Sequence, residues 1–248
     1  MKDKNVSKRS NFKSKKLAPA NYLIVCEGTA TEPNYFNGLK KKINEKYGNR
    51  VDVMIPKIDV KGTGLNTESI VKYTERMVNY SSKVYGQVWV LFDKDDYDDD
   101  QFNRAIENCN YNVAWSNPNI ELWLLSHFKK VDRYISKENV LEELNREFQK
   151  NGLGDYSKND SKIFEKVTND GKIHKAIDNC KAMEELNNGG QASQRNPMTK
   201  VYKIVDELKE YLEWILRKKA KYECNYKLQK YFAFLIINDK FRQNISGK

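Results

Sequence analysis

Residues Asn21–Phe36 read NYLIVCEGTATEPNYF. The first part, Tyr22 to Cys26, is apolar enough to form a buried strand, and it stops on Glu27-Gly28. A carboxylate thus follows directly on a strand, and glycine lets the chain turn there. Thr31 is placed to cap a helix with Pro33 in its first turn. Tyr35, Phe36, Leu39, Ile43 and Tyr47 then recur at helical spacing. The stretch is strand, acidic turn, helix. In an open parallel sheet, ligands gather beyond the carboxyl ends of the strands, which is where this order puts Glu27.

Outward from this stretch the pattern repeats. Val51, Val53 and Ile55 alternate, which predicts a second strand over Arg50–Ile58. The loop Gly62-Thr63-Gly64 follows, and Thr67 is placed to cap a helix bearing Ile70, Val71, Thr74, Met77 and Val78. Val88–Phe92 is a second continuous apolar strand, ending on Asp93 and Asp95. A helix near Asp100–Asn108 leads to a strand over Tyr111–Trp115. From Ser116-Asn117-Pro118 a very apolar helix begins, with Glu121 in its first turn. This alternation over Tyr22–Lys129 predicts an α/β fold with a mostly parallel sheet of about four strands flanked by helices. Strands that are apolar throughout agree with burial on both faces. Beyond Lys130 helices are predicted over Lys137–Phe148, Ile173–Leu186 and from Thr199 onward, with loops over Asn151–Gly171 and Asn187–Pro197. The resulting division is a basic tail (1–18), an α/β core (19–130), a helical part (131–212) and a basic, aromatic helical extension (213–248).

The net charge of +10 lies at the ends. Residues 1–20 hold seven Lys/Arg against one Asp, and residues 213–248 hold nine against three acids, so the remainder is near neutral. Basic ends suit phosphate contacts with DNA or RNA, although a basic tail also aids solubility. Residues 1–18 have little to bury and read as disordered. The apolar runs fall short of the ~20 residues of a membrane span, and the basic start lacks the apolar stretch of a secretory signal. Cys26, Cys109, Cys180 and Cys224 are far apart and form no CxxC, which fits reduced thiols in the cytoplasm. His127 and His174 have no zinc spacing to them. No Gly-Lys-Ser/Thr occurs, so no Walker-type ATP loop is present.

The carboxylates carry the chemistry. Glu27, Asp93, Asp95 and Glu121 fall at three predicted strand ends, with Glu32 five residues after Glu27. Asp93 and Asp95, two apart, point the same way in extended chain. Clustered carboxylates repel unless a cation sits among them, and hard oxygen ligands suit Mg²⁺ or Mn²⁺. Such ions assist phosphodiester hydrolysis, and a spare glutamate can serve as general acid or base. The run Asp93–Asp100 (DKDDYDDD) also fits a merely charged loop. It is a poor EF-hand, with Tyr97 and Asp98 at positions five and six.

Other residues have two readings each. Lys94 either neutralises Asp93 and Asp95 or touches substrate. Asn196-Pro197-Met198-Thr199 reads as a helix start that leaves Lys200 available to a phosphate. Asn117-Pro118 shapes the turn that aims Glu121. His127, on an apolar helix, reads as packed. Tyr222, Tyr226, Tyr231, Phe232 and Phe234 either pack a hydrophobic helix or stack on bases.

IVCEGTATEPNYF, VWVLFDKDD, AWSNPNIELWLLSHF and NPMTKVYKIVDEL, in that order, resemble the motifs of the RloB family over roughly Asn21 to Leu212. That family is grouped with TOPRIM-type metal-dependent enzymes and includes an abortive-infection component. The resemblance implies a TOPRIM-like fold with a catalytic centre at Glu27, Asp93 and Asp95. Glu32 matches an acidic position that helps hold metal in related OLD-type nucleases, and Glu121 looks like a further site residue. It also implies a cytoplasmic nuclease of antiphage defence working beside a separate AAA- or ABC-type ATPase. Residues from Glu213 onward run past the family's usual end. Three rivals stay open: an endoribonuclease of RNA or tRNA with the same site, a non-catalytic nucleic-acid- or ATPase-binding subunit, and a topoisomerase-like enzyme, for which the chain is short. Oligomeric state is not legible.

Overall fold

The computed structural model describes residues 21–47 and 55–212. The basic tail, the extension 213–248 and residues 50–54 of the expected second strand lie outside the described residues.

Among the described residues, five strands form one sheet: β1 (Tyr22–Cys26), β2 (Ile58–Gly62), β3 (Gln87–Asp93), β4 (Asn112–Asn117) and β5 (Met198–Thr199). Their order is β2-β1-β3-β4-β5. The first four are parallel, and β5 pairs antiparallel to β4 through Ser116–Thr199 and Asn117–Met198. β1 is an inner strand and wholly buried, as an uninterrupted apolar run requires when both sheet faces are covered.

The helices are α1 (Thr31–Tyr47), α2 (Thr67–Asn79), α3 (Asp99–Glu107), α4 (Glu121–Ser126), α5 (Lys137–Lys150), α6 (Ile163–Thr168), α7 (Lys172–Leu186) and α8 over residues 201–212. The chain leaves β1 in one direction to reach β2, then crosses back past β1 to β3 and on to β4. Right-handed crossovers therefore put α1 on one face of the sheet and α2 with α3 on the other. The packing agrees: α2 meets α3, α1 meets α6, and α4 meets α5 and α7. Tyr35 of α1 is a hub, with edge-on ring contacts to Phe36, Trp123, His127 and Phe164. The helical part past residue 130 thus shares one core with the sheet.

Three expectations need correction. The second strand runs over Ile58–Gly62 rather than Arg50–Ile58: Ile55 precedes it, and Val51 and Val53 lie outside the described residues. The expected loop Asn151–Gly171 contains α6, whose Ile163, Phe164 and Val167 are buried although the segment is only six residues long. The helix expected from Thr199 starts at residue 201, because Met198–Thr199 form β5, a fifth strand too short to show periodicity. Two caps also differ. Asn66, not Thr67, caps α2 by accepting from the Ser69 amide at 2.9 Å. Thr31 is the first helical residue, and its hydroxyl lies 3.4 Å from that of Tyr156.

Gly38 of α1 faces α6 so closely that a Cβ there would stand 2.4 Å from Phe164 Cβ. That neighbour is fixed to backbone and has little room to yield. Gly38→Ala should therefore destabilise the fold by about 1–3 kcal/mol, although alanine gains about 1 kcal/mol in helix propensity. Urea unfolding of the two proteins checks this, and equal midpoints would show that α1 and α6 do not pack so tightly.

Candidate active site

The sheet order places a topological switch point between β1 and β3, where crossovers depart in opposite directions and the sheet opens into a crevice. Glu27 follows the last residue of β1, and Asp93 is the last residue of β3. The Glu27 amide extends the ladder by donating to the Leu91 carbonyl at 2.9 Å. Strand lengths and register thus bring the two carboxylates side by side. Gly62, ending β2, lies against this turn: a Cβ there would stand 2.8 Å from the Gly28 carbonyl oxygen.

The crevice opens into a cleft of about 540 Å³ lined by Glu27, Glu32, Asp93, Asp95, Asn119 and Glu121, among others. Glu27 Oε2 accepts from the Asp93 amide at 3.2 Å and from the Thr67 hydroxyl at 3.5 Å. Glu32 Oε1 accepts from the Gly28 amide at 3.1 Å. Asp93 Oδ2 accepts from the Ile120 amide at 3.0 Å, which ties β3 to the start of α4. Glu121 is buried, with Oε1 accepting from the Tyr156 hydroxyl at 2.9 Å and lying 3.4 Å from Lys158 Nζ.

Three of these carboxyls, Glu27, Glu32 and Asp93, hold protons more tightly than in water. Burial pushes Glu27 up to about 7, with Glu32 and Asp95 adding repulsion and the Asp93 amide opposing. Burial also raises Glu32, with Glu121 adding to it and Lys158 opposing. Asp93 is raised well above its ordinary value, by burial first and then by Glu32 and Glu121. A set of oxygens that resists ionisation alone is one that a divalent cation would charge. Among the described residues, no three His, Cys, Asp or Glu side chains enclose an ion by themselves. Mg²⁺ needs fewer: one or two carboxylates commonly hold it, with waters and substrate oxygens completing the octahedron. The donor set fits such an ion in chemistry and in charge.

Asp95 is placed differently from the extended-chain expectation. It sits in a turn at φ 37°, a left-handed conformation that aspartate tolerates better than most residues. Its amide donates to the Pro118 carbonyl at 2.9 Å, and its exposed carboxylate meets Lys137 at 3.1 Å on the rim. Lys94 neutralises neither Asp93 nor Asp95. Its ammonium turns away to the Tyr97 carbonyl and to Asp99, 2.9 Å off. Lys200 is not in the cleft. It is buried against Glu184 and near the Trp115 ring, so it is not available to a phosphate. His127 is packed, with one ring nitrogen 3.0 Å from the Trp123 carbonyl, and burial lowers it to about 4.

The two Asn-Pro motifs have a common role. Both peptide bonds, Asn117-Pro118 and Asn196-Pro197, are cis. Asn196 Nδ2 donates to Asn117 Oδ1 at 3.2 Å and to the Ile135 carbonyl at 3.0 Å, and Asn117 Nδ2 donates to the Ser193 carbonyl at 2.8 Å. The segment that carries Asn119, Ile120 and Glu121 is held by this lattice. Thr67, Asn119, Tyr156, Lys158 and Lys137 were not singled out by sequence spacing for the cleft. They arrive from four separate places in the chain, and only folding brings them to the acids.

A family model described as RloB-like protein matches residues 22–208. No curated protein and no solved structure matches the chain.

Proposed function

The chain belongs to the RloB-like protein family, and on that premise we propose that it is a TOPRIM-like, Mg²⁺- or Mn²⁺-dependent nuclease. The observation that carries this reading is the clustering of Glu27, Glu32, Asp93 and Glu121 in one cleft at the switch point, three of them with raised affinity for protons.

Glu27, Glu32 and Asp93, with Asp95 at the rim, would hold the cation. When bound, it would supply polarisation of a phosphodiester oxygen and a lowered pKa for the attacking water. Asp93 is held by the Ile120 amide and Glu32 by the Gly28 amide, so both oxygens are fixed in place. Glu27 lines the cleft and, before an ion binds, has a carboxyl near neutrality, which suits an acid–base group. Lys158, at the mouth, offsets part of the acid charge that would otherwise repel a phosphate.

The same reading places the chain in antiphage defence as an effector beside a separate ATPase. The absence of a Gly-Lys-Ser/Thr loop in the sequence supports a division of labour between two chains.

Cleavage of plasmid DNA, single-stranded DNA and total tRNA by the purified chain tests this, with Mg²⁺, Mn²⁺ or EDTA, beside Asp93→Ala. Cutting that needs the metal and is lost in the variant is the expected outcome, and the substrate cut decides between DNA and RNA. Cutting that survives both EDTA and Asp93→Ala would overturn the assignment of chemistry to this cleft.

A further inference from the structure

Asn119 is the neutral member of the cleft wall. It is 6% exposed, yet its Oδ1 is buried without a hydrogen-bond partner among the described residues. An unmet buried acceptor costs about 1–3 kcal/mol, so something outside the chain is expected to meet it. Four donors that reach the cleft acids are already committed. The Ile120 amide serves Asp93, the Gly28 amide serves Glu32, the Thr67 hydroxyl serves Glu27, and the Tyr156 hydroxyl serves Glu121. Most of the other polar side chains facing the cleft are carboxylates, whose ionised oxygens only accept, and Lys158 is engaged with Glu121.

We infer that Asn119 Oδ1 is a ligand of the divalent cation, a neutral oxygen added to the carboxylate set. This inference rests on the metal reading of the same cleft. A carbonyl oxygen fits the need: it raises the number of hard donors without adding to the repulsion among four acids. Its placement is fixed on both sides. Ile120, the next residue, is bonded to Asp93, and Glu121, the one after, is held by Tyr156 and Lys158. The side chain therefore has little freedom to seek another partner. Asn119 would also distinguish the ion from a proton, since a carboxamide oxygen binds a cation but takes up no proton near neutral pH.

The test is Mn²⁺ binding, followed by the electron-paramagnetic signal of free Mn²⁺, to the whole chain and to Asn119→Leu and Asn119→Asp. Thermal unfolding of each is recorded without metal. Asn119→Leu should melt no lower than wild type without metal, because it removes an unmet acceptor. Its dissociation constant for Mn²⁺ should rise about tenfold or more. Asn119→Asp, which restores an oxygen at that position, should bind at least as tightly as wild type. If Asn119→Leu binds within about twofold of wild type, water or substrate meets Oδ1 and the inference falls. If Asn119→Asp loses the ion, it falls as well, and this arm stands even where the leucine variant does not fold. Wild-type chain that takes up no Mn²⁺ overturns the metal reading itself, which separates the two failures.

Discussion

Glu27→Gln should slow cleavage by at least about a hundredfold and at the same time stabilise the metal-free protein. The amide keeps the shape, and its oxygen can still accept from the Asp93 amide and the Thr67 hydroxyl, which lie 3.2 and 3.5 Å from the carboxylate oxygen it replaces. What disappears is a charge that is costly in this position. Burial and the neighbouring Glu32 and Asp95 are what push the carboxyl up to about 7. Removing that charge should raise folding stability by about 0.5–2 kcal/mol, with a gain of about 2–4 °C in melting temperature per kcal/mol for a domain of this size. The rate should fall by about 10²–10⁴, the range for loss of a general acid or base, and further if the ion is lost too. The pair of results is diagnostic. A residue that is only structural loses stability when changed, whereas a site residue is kept at the expense of stability. A variant that melts lower and still cuts would place the function elsewhere.

The second large effect is on pH. Without metal, the stability of the folded chain should fall as pH rises from about 5 to 8. Below 4.5, the ordinary value for glutamate, Glu27 is protonated folded or unfolded, and its site costs nothing. Between 4.5 and about 7 the unfolded chain releases that proton while the folded chain still holds it, so unfolding is favoured increasingly with pH. Glu32 and Asp93 are raised as well and act in the same sense. Carboxylates elsewhere oppose this on the acid side. Asp59, Asp160 and Asp206 are lowered, with lysines that hold their charged forms, so their contribution is lost on acidification. Stability should therefore peak on the mildly acidic side of neutrality. A divalent cation binds the ionised cleft, so its stabilising effect should grow with pH. At a hundredfold excess over its dissociation constant it contributes about 2.7 kcal/mol, and far less at pH 5, where protons compete. Melting curves at pH 5 and 8 with and without Mn²⁺ check this. A metal-induced rise that is equal at both pH values would contradict it.

The acids and the strands that bear them were legible because each signal is local. Five apolar residues followed by Glu27, and five more followed by Asp93, need no partner to be read. The family motifs were legible for the same reason, and the family match bears out that resemblance. What was not legible is long-range. The relation of Asp95 to Asp93 failed because extended geometry was assumed where the chain turns through φ 37°. Lys94 and Lys200 looked available because sequence shows a charge and not its partner; Asp99 and Glu184 claim them in the fold. β5 is two residues long and exists because β4 offers it an edge. Tyr156 and Lys158 lie in a stretch without periodicity; the Tyr156 amide donates to Asn145 Oδ1 of α5 at 2.9 Å and its ring packs on Phe148, which helps bring them to Glu121. Asn119 has a polar signal that becomes informative once its burial is known.

The most direct measurement is a calorimetric titration of Mg²⁺ or Mn²⁺ into the whole chain near pH 7, repeated in buffers of different ionisation enthalpy so that protons are counted. The same titration is made on a Glu27→Gln, Asp93→Asn protein. The cleft described here binds the ion and expels protons from the Glu27, Glu32 and Asp93 carboxyls, whose hold on protons burial strengthens, and the doubly substituted protein does neither. Binding without proton release, or binding that survives both substitutions, would place the ion elsewhere and contradict the account.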